Sequence, residues 1–185
     1  IAVNLRDATT LGLTASGAFA HDLRVAGTST LNAGLGQLVS WDGLISDGAS
    51  AGILRLTGGG LFALTNAANN YTGGTAVVGG SALSVAADNT LGAAGAGVSL
   101  GDAVSTATLG ITTAGTFLTS RALTLGALGG TISAAGGTTA TFAGAVTGSG
   151  DLRLAGGGTF ALTNGANTYA GGTSVIGGST VSVGA

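Results

Sequence analysis

The chain has 185 residues, 5 cationic and 7 acidic side chains, a net charge of −2, and no cysteine, methionine or proline. The lack of cysteine excludes disulfides and thiolate metal sites, and the balanced charge offers no basic footprint for nucleic acid. Every cation is arginine (Arg6, Arg24, Arg55, Arg121, Arg153) and every anion aspartate, so the helix-favouring Lys and Glu are missing while Gly and Thr abound, which speaks against a helical protein.

Charged residues make up 6% of the chain and hydrophobic ones 45%, a balance that opposes disorder. No apolar run approaches the ~18 residues of a membrane helix, so no membrane insertion of this segment is expected. The chain opens on Ile1 with no signal peptide in view, as expected of an internal piece of a longer protein.

Read from the start, the chain holds two related units, 1–97 and an incomplete 98–185. The opening IAVN resembles Val98-Ser99-Leu100-Gly101. Thr10-Leu11-Gly12 matches Thr108-Leu109-Gly110, Phe19 matches Phe117, and Trp41 aligns with Phe142 at an offset of 142 − 41 = 101. Leu54 to Ala87 then matches Leu152 to Ala185 at 152 − 54 = 98, without a gap. Phe62/Phe160 and Tyr71/Tyr169 complete the pairing of the aromatic side chains, whereas among the charges Arg55/Arg153 is the clear recurrence. What repeats is the packing pattern.

A shorter step lies inside each unit. Leu56, Phe62 and Leu64 map onto Val77, Leu83 and Val85 at an offset of 77 − 56 = 21. The same step takes Val77 to Val98, Gly80 to Gly101 and Leu83 to Val104, and in the second unit Leu154, Phe160 and Leu162 to Val175, Val181 and Val183. Stretches such as FALT and TVSV alternate apolar and small polar residues, the mark of strands with one buried face. Glycine pairs between them supply corners.

The pattern reads as an all-β solenoid, a right-handed parallel β-helix with coils of about 21 residues. Phe160 is expected to lie inward beside Val181, and Leu162 beside Val183. Eight or nine coils, at a spacing of roughly 4.8 Å, make a rod on the order of 40 Å long. An antiparallel sandwich or barrel would not require such stepping.

Gly148 to Ala185 resembles the autotransporter-associated β-strand repeat of bacterial type V secretion passengers. The middle element of that pattern, N-x-Y-x-G-G-T, is carried by Asn69, Tyr71, Gly73, Gly74 and Thr75 in the first unit. In the second it is carried by Asn167, Tyr169, Gly171, Gly172 and Thr173. The resemblance implies a right-handed parallel β-helix, exported across the outer membrane and displayed on the cell or released. Within such passengers this repeat belongs to the stalk.

The residues give little to chemistry. His21, the single histidine, is followed by Asp22, and Gly48-Ala49-Ser50-Ala51-Gly52 fits G-x-S-x-G, but no helix is expected to follow and His21 precedes the serine. Asp7, Asp22, Asp42, Asp47, Asp88, Asp102 and Asp151 are scattered rather than paired as in β-helical polysaccharide lyases and hydrolases. No catalytic residue, metal or cofactor is expected. Thr-Ala-Thr at 106–108 and 139–141 is too sparse for an ice-binding face.

Asn66, Asn69, Asn164 and Asn167 are expected to satisfy backbone groups at corners and to stack as a ladder, with a glycan site as the competing role. At the tyrosines, the ring is expected to cover the apolar edge of a coil, so that Tyr169→Ala costs about 2–4 kcal/mol, and Gly74 and Gly172 to permit a bend. The leading function is a structural stalk or surface fibre. Two readings compete with it: a β-helix that binds or cleaves surface glycans, and a filament that stacks end to end on copies of itself, because no polar cap is evident at either end.

Overall fold

The computed structural model describes residues 2–184, and among them every strand pairs in parallel with the strand one turn away. The first sheet runs through Thr9–Leu13, Asp22–Ala33, Ile45–Thr57, Thr75–Val77, Val98–Leu100, Leu123–Leu125 and Val146–Gly148, with Ala2–Leu5 beside the start of Asp22–Ala33. The second runs from Gly17–Phe19 through Leu38–Trp41, Leu61–Leu64, Ala82–Val85, Ala107–Ile111, Gly130–Ala134 and Leu152–Ala155 to Thr173–Val175. The third holds Gly115–Thr119, Thr138–Phe142, Thr159–Leu162 and Thr180–Val183.

The chain is thus a β-solenoid with three faces. Eight levels at a strand spacing of roughly 4.8 Å give a length on the order of 40 Å. The face of the third sheet is taken, lower in the stack, by Ala2–Leu5 and the first halves of the two long strands, which bend at the register shift between Val25 and Gly27. Between these, that face carries the segment around Asn69–Tyr71 and the 3-10 helix Asp88–Leu91, the one helical turn among the described residues.

Alternation dictates the interior. Along Ala107–Ile111 the burial runs buried, intermediate, buried, intermediate, buried, and the inward Leu, Ile, Val and Phe of all faces join in one continuous core. Each coil covers only its neighbours, so apolar area is buried by stacking. Phe160 pairs with Val181 and Leu162 with Val183, in register as expected. Phe160 and Leu162 are buried, while Val183 is 71% exposed, with no further strand among the described residues stacked on it.

The uniform step of 21 is corrected over 98–111. Val77 pairs with Leu100 and Val98 with Thr75, an offset of 98 − 75 = 23. Leu83 pairs with Leu109 at 109 − 83 = 26, and Val104 stands 84% exposed on a loop. Gly101 donates its N–H to Val77 O, and so stacks near Val78 rather than Gly80. The extra residues are extruded as a loop that Asp102 ties down, accepting from Val104 N at 2.9 Å and Ser105 N at 2.8 Å. Outward loops absorb length at small entropic cost.

The two units do not superpose by sliding along the rod. Thr75–Val77 lies in the first sheet but its counterpart Thr173–Val175 in the second; Ala82–Val85 lies in the second but Thr180–Val183 in the third. Four ladder steps take Leu54 to Val146, which is 146 − 54 = 92 residues. The sequence unit of 98 carries the chain 98 − 92 = 6 residues further, around one corner.

Candidate functional site

The repeated Asn-x-Tyr-x-Gly-Gly-Thr element forms a corner, and its side chains are committed to the stack. At the level of Asn69 the main chain leaves the strand conformation. The side-chain amide stands in for the missing peptide group: Oδ1 accepts from Ile45 N of the coil below and Nδ2 donates to Thr90 O of the coil above, each at 2.8 Å. Asn167 repeats the lower half, accepting from Val146 N at 2.8 Å. Asn66 donates to Asp42 O at 3.0 Å and Asn164 to Ala143 O at 2.9 Å, again one coil below. The four asparagines therefore satisfy backbone groups, as the sequence suggests, but bond to main chain and form no ladder with one another.

Tyr71 is fully buried, and its hydroxyl bonds Thr75 Oγ1 at 2.6 Å. Its ring is part of the core rather than a cover over an edge. Tyr169 makes the same bond to Thr173 but is only half-buried, because no coil of the described residues lies above it.

The glycines of the element differ. A Cβ on Gly73 would stand 2.7 Å from the Gly52 backbone, and one on Gly171 2.4 Å from that of Gly150, so these two permit close approach of coils. Gly74 has φ 97°, a left-handed corner. The expected bend at Gly172 is corrected: its φ lies outside the left-handed region, and a Cβ there would meet nothing nearer than Asp151 Oδ1 at 3.9 Å.

Aspartates serve the same architecture. Asp7 accepts from Thr28 N at 2.7 Å, Asp22 from Leu44 N at 3.1 Å, Asp47 from Thr72 N at 3.0 Å and Asp151 from Gly172 N at 2.8 Å, each a bond to the next coil. Asp42 accepts from the Ser40 and Thr65 hydroxyls, which hold its carboxyl below the usual range. The backbone N–H of Val104 and the Ser105 hydroxyl do the same for Asp102. No group of three potential metal ligands occurs among the described residues. His21 is exposed, and Ser50 sits exposed within the strand Ile45–Thr57, not on a strand–helix elbow. The structure does not bring the two into contact by any hydrogen bond.

One residue carries more than the sequence reading gave it. Arg121 is 4% exposed and pairs with Asp88 through Nε at 2.8 Å. Its other nitrogens donate to the carbonyls of Asp88, Leu91, Gly92, Ala93 and Ala96 at 2.6–3.2 Å. A single guanidinium thus organises the 3-10 turn and the loop after it. Its partners lie 25–33 residues away in sequence, so no local pattern marks it.

On the outer face of the second sheet an open groove crosses several coils, lined by Thr106, Leu128, Thr131, Asp151, Arg153 and Ser174. Comparison with family models, curated proteins and solved structures finds no match to the chain. The fold itself defines the class, a parallel β-solenoid built of repeats.

Proposed function

We propose that the chain is a structural segment, a stalk or surface fibre of an autotransporter-like passenger, exported and displayed at the bacterial surface. Its work is to span distance and to hold apart what it joins. One observation carries this reading: the polar residues that the repeat keeps are spent on the architecture, Asn69 and Asn167 on bonds to the main chain of the coil below, and Tyr71 and Tyr169 on bonds to Thr75 and Thr173 within their own corner. A recognition motif would instead aim them outward.

Electron micrographs of the purified chain, with a glycan array and turnover assays on esters and polysaccharides, test it. A rod without saturable binding or turnover is expected, and saturable binding or turnover overturns it. The groove at Arg153 favours glycan binding as the second reading, because a cation, a carboxylate and three hydroxyls converge there. Binding that disappears in Arg153→Ala would establish that alternative.

A further inference from the structure

Of the eight asparagines, Asn164 alone is followed by glycine. Its side chain is held in a turn, with Oδ1 accepting from Ala166 N at 2.8 Å and Nδ2 donating to Ala143 O at 2.9 Å. The first bond withdraws electrons from Cγ and makes it a better electrophile. Gly165 is exposed, and its N–H donates to no acceptor among the described residues. It also lacks the Cβ that would crowd a ring closing onto that nitrogen. The first unit supplies a control: Asn66 accepts from Ala68 N at 2.9 Å and donates to Asp42 O at 3.0 Å, but Ala67 follows it.

We infer that Asn164 is a site of spontaneous covalent modification, in which its side chain cyclises onto the backbone nitrogen of Gly165. Hydroxide takes the Gly165 N–H proton, and the nitrogen pair forms a bond to Asn164 Cγ. The carbonyl pair moves to Oδ1, then returns as the Cγ–Nδ2 bond breaks. Nδ2 takes a proton from water and leaves as ammonia. Water opens the resulting succinimide at either carbonyl, leaving an aspartate or an isoaspartate at position 164.

Either product replaces the donor that faced Ala143 O with an acid oxygen, so an attractive bond between coils becomes a repulsive contact. Isoaspartate also adds a main-chain carbon, which shifts Asn167 from its place against Val146 N. The modification therefore loosens the corner of the second unit and spares that of the first.

The test is peptide mapping by mass spectrometry of the whole folded chain, aged in mildly alkaline buffer. The Asn164 peptide should accumulate the mass gain of an amide-to-acid exchange, split into two isomers, while the Asn66 peptide stays intact. Limited proteolysis should then open the aged chain first between Thr163 and Thr168. Gly165→Ala should suppress the change, and Ala67→Gly should create it at Asn66. An aged, folded chain with Asn164 intact, alongside a free peptide of residues 159–170 that converts, would overturn the inference. So would equal conversion at Asn66 and Asn164.

Discussion

Burial first of all pushes the Tyr71 hydroxyl from its ordinary 10.0 up to about 12, against the opposing effects of its bond to Thr75 and of the Arg121 charge. Below pH 10 the folded and unfolded chains both keep the proton, and stability is fully present. Between about pH 10 and 12 the unfolded chain ionises first, so stability falls by on the order of 2–3 kcal/mol. Denaturant melts across that window should show the fall in the wild type and lose most of it in Tyr71→Phe. That variant should also be about 1 kcal/mol less stable at neutral pH for want of the Thr75 bond. An unchanged alkaline limb in Tyr71→Phe would assign the effect elsewhere. The two tyrosines are legible in the sequence as equivalents, yet their burial is not. It depends on whether a further coil covers the ring, as the 3-10 level covers Tyr71. Truncating Tyr71 to Ala should accordingly cost about 3–5 kcal/mol, and truncating Tyr169 distinctly less.

At the corners, adjacent glycines make opposite predictions. Gly171→Ala forces a methyl into the Gly150 backbone and should lower the melting temperature, whereas Gly172→Ala makes only an ordinary van der Waals contact with Asp151 and should leave it nearly unchanged. Equal effects would show that close approach of coils is not what Gly171 provides. Arg121→Ala leaves Asp88 and five carbonyls without their donor and should cost about 3–5 kcal/mol. Hydrogen exchange should report it as lost protection over 88–96. Arg121→Lys should not rescue, because an ammonium cannot reach the fan of acceptors that a planar guanidinium spans. Strand identity and the inward rows were readable from alternation, and the step of 21 was readable wherever corners are short, as from Phe160 to Val181. It failed between Leu83 and Leu109 because loop residues face water and leave no imprint on the inward pattern. The Arg121 fan escaped for a related reason: carbonyl acceptors have no sequence signature.

Over the whole molecule, stability is a sum of coils and the contacts between neighbours, so damage should stay local. Phe160→Ala should lower amide protection in the strands that flank it, Thr138–Phe142 and Thr180–Val183, and leave Leu23–Val25 and Leu38–Trp41 unchanged. A uniform loss along the chain would mean a single cooperative unit. The six residues by which the sequence unit overshoots four turns have a consequence for recognition from outside. Arg55 projects from the first sheet and its counterpart Arg153 from the second, so the twin outer patches look away from each other by roughly a third of a turn. A flat, repetitive support can therefore touch one twin at a time, and the duplication adds little avidity on such a surface, since avidity requires simultaneous engagement. A flexible polymer that winds around the rod can reach both.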